Sequence, residues 1–552
     1  MARSAGRQPA ASTRSPGFVA GSPAWFAVIF AAFSLICLIV YEPALEGPVV
    51  SDDRMYLESP YVRELTTENV QEILDPRSDI TMMTANYAPF HLLANGVQWK
   101  MFGEKPLGYH VTNILLHALS ATLLIALFLR SGLPAGAAFL GGGFFLLHPA
   151  SVEAVAWMSQ LKTQLAMALG LVALLLRTRP VVSTTAFALA LLAKAPAAVV
   201  LPVAVVWEWC QPSEPSQKKR SWSVLIAWSA VFLVFAALEM TAFLQAHTGV
   251  SQPTTEGGAP LWSSLSIMAR YLAMAVTSYG TSAFHEPSPV TTPWDPWVLA
   301  AVAAILMLGV RTLFCLRERR LEAAWWLWAA LSFLPVSQIL PFVYPMGDRY
   351  LYVMLPGLIG GTLLLGQSQA GRVPARHRHS AALGLAALTL LVMFAFTSKS
   401  YQRAAIWTSD QRLIADSIRH YPMGNNAQFA RAREAVRVGD IPAAVAELRN
   451  ADSEGHLDFD NIYADPVFAS LVGDPRLQVL LDQIARRQIE AYGQADRITE
   501  GGLIRLARAH LVLRQPKQAL EATARAQREG GRYAEQAENI ARQARALERS
   551  QR

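Results

Sequence analysis

The chain has 552 residues, 53% of them hydrophobic and only 16% charged, with a mean hydropathy of +0.26. An ordinary soluble domain carries roughly 25% charged residues, so a wholly water-soluble protein is excluded. The net charge of +7 does not mark a nucleic-acid surface either. Its Lys and Arg residues sit in short segments between apolar runs, the pattern that orients membrane spans.

Residues 1–22, rich in Ala, Ser and Arg, read as a disordered cytoplasmic tail ahead of an uncleaved first span, with no convincing small-residue cleavage site before the first acidic pair. Apolar runs then recur at roughly 24–43, 108–129, 135–157, 161–176, 181–193, 196–210, 222–245, 295–314, 323–343, 350–367 and 381–397. Their lengths suit a bilayer core, and they predict an all-α polytopic membrane protein of about eleven transmembrane helices. The stretch 262–283, with Arg270 and scattered Ser and Thr, is expected to lie on the outer surface as a helix. The Lys and Arg bias places the N-terminus inside; with an odd number of spans, residues after Ser398 lie outside. Cys37, Cys210 and Cys315 all fall in or beside apolar runs and imply neither a disulfide framework nor a metal motif.

The long outer loop 44–107 opens with two adjacent carboxylates, Asp52 and Asp53, at the membrane edge. An ionised pair there is costly unless it is used or paired. Within the loop, Leu65–Leu74 has a Thr cap and helically spaced apolar residues, suited to an interfacial helix. Trp99, Phe102 and Tyr109 form an aromatic belt before the second span.

Polar residues then recur at the same edge. His110, Asn113 and His117 share one helix face, His117 about 10 Å deeper at 1.5 Å per residue. His148 and Glu153 stand in an otherwise apolar stretch that leads to Lys162. Lys194 occupies the next outer turn, where the plain alternative is a snorkelling anchor. Arg349 follows at the head of the tenth span. Two acids and three separate cations on one side suit an anionic, lipid-linked phosphate. The cations would hold the phosphate while a carboxylate accepts a proton from an attacking hydroxyl.

After Ser398 long apolar runs vanish and Ala, Arg, Gln and Glu rise. Phe429–Asn450, broken at Gly439-Asp440, and Leu503–Gly530, broken at Gln515-Pro516, read as helix pairs with small residues at their contacts. Such pairs suggest tetratricopeptide-like repeats or an unspecialised α-helical domain.

These residues together resemble the multi-span GT-C glycosyltransferases, in particular the branch with C-terminal tetratricopeptide repeats, such as the O-mannosyltransferases of that type and their bacterial relatives. The resemblance rests on Ser51-Asp52-Asp53, on Gly108-Tyr109-His110-Val111-Thr112-Asn113 with His117, and on His148-Pro149 followed by Val152-Glu153-Ala154-Val155-Ala156-Trp157 and Lys162. It continues through Ala193-Lys194-Ala195-Pro196 and Asp348-Arg349-Tyr350-Leu351-Tyr352. The chain departs from its relatives at Ala88, where they often carry Arg or His before the proline, and at Gln160-Leu161-Lys162-Thr163, where they often read Glu-Arg-Lys-Asp.

The resemblance implies a GT-C-like transmembrane domain over 23–397, with 44–107 as its catalytic outer loop, and a soluble TPR-like helical domain over 398–552. It implies inverting transfer of a sugar from a polyprenyl-phosphate donor to a protein hydroxyl on the non-cytoplasmic face. Asp52 would be the general base with Asp53 in support, and Lys162, Lys194 and Arg349 would bind the donor phosphate. His110, Asn113, His148, Glu153 and Tyr87 would line the substrate pocket. Partners would be the donor lipid, the bilayer and a protein acceptor recruited by the helical domain, with no nucleic acid. No cofactor is expected, although Mg²⁺ or Mn²⁺ at the Asp pair is the alternative. A bacterial inner membrane with a periplasmic C-terminal domain fits best. The competing functions are a same-fold transferase acting on a lipid or glycan, a transporter, and a non-catalytic scaffold.

Overall fold

The computed structural model describes residues 20–84, 86–211, 215–247, 259–339, 345–370, 372–452, 462, 465–471, 473–493, 498, 500–529 and 533–552. The tail up to residue 19 and the last residues of the 323–343 run lie outside the described residues.

Among the described residues every regular element is helical. Seven helices are long and apolar enough to cross a membrane: Pro23–Val40, Pro106–Arg130, Met158–Leu175, Ser221–Leu244, Pro296–Arg317, Asp348–Ala370 and Ala375–Thr408. The other apolar runs form the shorter helices Ala135–Leu147, Pro180–Ala193, Ala195–Cys210 and Glu322–Phe333. The chain is an all-α polytopic membrane protein.

Local signals explain where the helices begin. Ser22 caps the first span, its Oγ accepting the Trp25 N–H at 3.2 Å, with Pro23 at the first helical position. In the outer loop Thr66 does the same for Asn69 at 3.2 Å, which starts the expected interfacial helix at Thr67. The stretch around Arg270 is the helix Ala259–Thr277.

One expected span differs. The 135–157 run is not continuous: its helix ends at Leu147, His148 is extended (φ −67°, ψ 127°), and a short helix runs from Ser151 to Ala156. A residue before proline is driven out of the helical region by the proline ring, and Pro149 does this to His148. Trp157 is extended as well. The chain therefore folds back at this depth, and the break delivers residues 157–163 to the outer loop.

Several charged and polar groups in the apolar helices are matched. Arg311 donates to Glu322 at 2.8 and 2.6 Å, Trp326 Nε1 adds a third bond at 2.9 Å, and Arg177 pairs with Glu208 at 3.3 Å. His117 lies 3.1 Å from the Tyr352 hydroxyl and 3.0 Å from the Leu146 carbonyl, so it joins three segments as packing glue. The helices Glu322–Phe333 and Asp348–Ala370 approach very closely. A Cβ at Gly357 would lie 2.4 Å from the Ala329 nitrogen, and at Gly360 and Gly361 it would meet the Trp325 and Trp326 rings.

In the C-terminal region the two expected helix pairs form: Asn425–Arg437 with Ile441–Ala451, and Glu500–Val512 with Pro516–Glu529. Gly439 turns the first pair at φ 79° and Asp440 caps Ala443 at 3.0 Å. The shift in composition at Ser398 is not a break in the chain. The helix from Ala375 runs through it to Ala404, turns at residues 405–408, and continues as Asp410–His420.

Candidate functional site

The two acids have opposite surroundings. Asp53 is fully buried; its Oδ1 accepts the Ser159 N–H at 2.7 Å and its Oδ2 the Val50 N–H at 3.2 Å. Burial pushes its carboxyl up to about 7, against the pull of those two N–H groups, and the neighbouring Asp52 charge adds to the rise. Asp52 is only partly covered, and its carboxylate takes no hydrogen bond or ion pair among the described residues. Asp53 is built into the fold, whereas Asp52 is available.

Asp53 opens the short helix Asp53–Leu57. Tyr56 lies three residues on, so both side chains leave one face of that helix, and this face docks on segment 158–163. Beside the Asp53–Ser159 bond, Lys162 Nζ donates to the Tyr56 hydroxyl at 2.8 Å and lies 4.9 Å from the Tyr56 ring centroid. The next residue, Thr163, accepts from Lys194 Nζ at 2.8 Å, and Gln160 Oε1 lies 3.5 Å from the same ammonium. Neither lysine meets a carboxylate within ion-pair distance among the described residues. In the turn between two apolar helices, burial and then the charges of Lys162 and Arg349 hold the Lys194 ammonium well below its ordinary range, with Glu153 opposing. Two lysines without a carboxylate partner thus stand close together. Beside Lys194 an apolar pocket is lined by Ala166, Met167, Val200, Trp328 and Val353.

Arg349 is different. Its guanidinium pairs with Glu153 Oε1, its backbone N–H donates to Glu153 Oε2 at 2.7 Å, and Nη2 donates to Tyr350 at 3.0 Å. The guanidinium also lies 5.3 Å from the Trp157 ring centroid. Glu153 is 1% exposed and engaged on both oxygens. The charge of Arg349 is therefore already answered within the protein.

The remaining candidates hold backbone. Asn113 Nδ2 reaches the carbonyls of Val155, Trp157 and Met158 at 3.2–3.5 Å and so fixes the turn that carries Ser159 and Lys162. His110 Nε2 lies 3.2 Å from the Gly47 carbonyl. His148 is bonded at both ring nitrogens, to the Ala275 carbonyl at 3.1 Å and the Ala150 N–H at 3.1 Å, inside the helix break. Tyr87 donates from its hydroxyl to Leu74 and from its N–H to Glu239 at 2.7 Å, anchoring the outer loop to a span. None of these four meets the two lysines or Asp52 through a hydrogen bond among the described residues.

Sequence reasoning named Gln160 and Thr163 only as departures from the resembled pattern, and it missed Tyr56 as the partner of Lys162. The i, i+3 spacing of Tyr56 from Asp53 was a readable signal, as was that of Thr163 from Gln160, whose side chains are joined at 2.7 Å. Among the described residues no three His, Cys, Asp or Glu side chains gather as a metal site.

Fold and site together define a polytopic, all-α membrane protein with an acid and a pair of cations at one end of its bundle. No protein-family model matches the chain, and no curated protein does. Among solved structures, ArnT from Cupriavidus metallidurans bound to undecaprenyl phosphate is similar over 90% of this chain and 89% of that one, at 14% identity and a TM-score of 0.31. A likeness that slight carries no argument about what this chain does.

Proposed function

We propose that the chain is a GT-C-type glycosyltransferase that moves a sugar from a polyprenyl-phosphate donor to a hydroxyl of a protein acceptor, with inversion. The observation that carries this reading is the free Asp52 carboxylate, one residue from the anchored Asp53 and one helical turn from Tyr56, which holds Lys162. Asp52 takes the proton of the acceptor hydroxyl as its oxygen attacks the anomeric carbon. The bond from that carbon to the phosphate oxygen breaks on the opposite face, and the departing phosphate gathers negative charge. Lys162 and Lys194, lacking carboxylate partners, stabilise that charge where it develops.

Arg349 supports the site at one remove: Glu153 holds it, and it in turn packs on Trp157 beside the Asp53 anchor. The helix pairs after residue 425 are the acceptor-selecting part, on the periplasmic side of a bacterial inner membrane, and the reaction needs no resident cofactor. The test is the glycan mass profile of envelope proteins from cells with the wild-type chain, without it, and with Asp52→Asn. A hexose-sized mass present only with the wild type supports the reading. A change confined to lipid or polysaccharide overturns the protein acceptor and keeps the transferase. No change with well-folded Asp52→Asn protein overturns catalysis and leaves transport or scaffolding.

A further inference from the structure

The helix Asp410–His420, the first beyond the last apolar span, reaches both arms of the site. At its start, Asp410 Oδ1 accepts the Ser51 N–H at 2.9 Å, and Oδ2 lies 3.2 Å from Arg54 Nη2. In its middle, Asp416 accepts the Ala283 N–H at 2.8 Å and faces Arg403 at 3.4 Å. Arg403 also reaches Asp348, the neighbour of Arg349, at 3.5 Å. Just past its end, the Tyr421 hydroxyl lies 2.8 Å from His285 Nδ1, and His285 Nε2 lies 2.8 Å from Asp348 Oδ1. The turn that leads into the helix places Trp407 in a stack on Trp157, 5.2 Å between centroids.

The contact at Ser51 has a conformational meaning. Ser51 has φ 51°, a left-handed backbone that an L residue with a Cβ resists. Such a conformation persists where surrounding contacts over-determine it. Residue 51 immediately precedes Asp52, so this angle helps set how the backbone presents Asp52. Arg54 and Asp410 are 60% and 43% exposed, so their ion pair contributes little. The turn is closed locally by the Asp53 N–H to the Val50 carbonyl at 3.1 Å and the Val50 N–H to Asp53 Oδ2 at 3.2 Å, and the bond from Ser51 N–H to Asp410 is the contact that ties it to the helix after the last span.

We propose that Asp410 is a positioning residue for Asp52: the helix following the last span holds the acid loop in its reactive conformation by accepting the Ser51 N–H. This rests on the reading of Asp52 as the general base. It also assigns the C-terminal region a part in the chemistry besides acceptor choice.

The experiment uses the full-length chain in its own membrane, as wild type, D410A, D410N and R54A, with transfer read as glycan mass per amount of protein. Binding of undecaprenyl phosphate and the melting midpoint are measured on the same purified proteins. Asn at 410 still offers an oxygen to Ser51, and R54A removes only the exposed ion pair. D410A is expected to lose about tenfold or more of the transfer, the scale of a misplaced reacting group, while lipid binding and melting stay at wild-type values. D410N is expected to keep at least half of the transfer, and R54A all of it. Wild-type transfer by D410A overturns the proposal. So does equal loss in D410N, or a loss in D410A that comes with lower melting and weaker lipid binding, which marks a merely structural residue. A wild type without any transfer removes the general-base reading itself, and this proposal with it.

Discussion

Glu153 and Arg349 form a buried pair in which one carboxylate binds both the guanidinium and the backbone N–H of its partner. Removing one member of such a pair strands the other as an uncompensated charge, which costs about 3–5 kcal/mol. Glu153→Ala is therefore expected to lower stability by that order. The double variant Glu153→Leu with Arg349→Met should recover most of the loss, because no charge is left behind. Denaturant unfolding of the wild type, Glu153→Ala and the double variant in detergent checks this.

Lys162 and Lys194 are held by hydroxyls and an amide oxygen, with no carboxylate bonded to either, which leaves both amines open to an anion. A hydrogen bond to a charged group contributes roughly 1.5–3 kcal/mol, so Lys162→Met and Lys194→Met should each weaken binding of the proposed polyprenyl-phosphate donor by about tenfold to a hundredfold. Arg349→Met should cost less affinity than either, since Glu153 already satisfies that guanidinium. Equal losses at all three positions would show that Arg349 turns from Glu153 to the phosphate.

The Asp53 carboxyl stands at about 7 in the folded protein against 3.8 as a free group. A raised carboxyl means that the folded chain holds more protons than the unfolded chain between those values, so stability falls as pH climbs through them and is level above. Between pH 5 and pH 8 the wild type should lose roughly 3 kcal/mol from this group, from two pH units below its folded value at 1.36 kcal/mol each. Asp53→Asn should flatten the slope. Unfolding free energies at several pH values check it, and a wild-type curve that rises with pH would contradict it.

Gly357 sits where two helices touch through backbone. A methyl group there cannot be absorbed by a flexible side chain, and Gly357→Ala should cost about 1–3 kcal/mol by overpacking. Gly366, which has open space around it, should accept alanine without loss. Melting midpoints of the two variants make the comparison.

Much of the architecture was legible from the sequence, because apolar runs, caps and Pro or Gly breaks are local signals. Thr66, Gly439 and Gln515-Pro516 mark boundaries that the structure realises. Pro149 was also legible as a breaker, yet the run around it reads as one span, since composition alone does not register a turn buried in apolar surroundings. Within the site, Lys162 and Lys194 were readable as cations outside a soluble context. What the sequence did not carry was pairing. Glu153 and Arg349 are 196 positions apart, and Ser51 and Asp410 are 359 apart. No periodicity links residues at such separations, so a cation that binds substrate looks the same as one already neutralised. Asp52 and Asp53 are adjacent and identical in type, and only the burial of one distinguishes them.

The uninterrupted helix from Ala375 to Ala404, followed at once by Trp407 and Asp410, bears on how this protein can be taken apart. A cut at the point where hydrophobicity fades would keep every apolar span and all three cations, yet strip the acid loop of its brace. The C-terminal region is then not an interchangeable attachment. Grafting it onto another protein of this architecture would succeed only if the junction were placed beyond the helix that ends at His420.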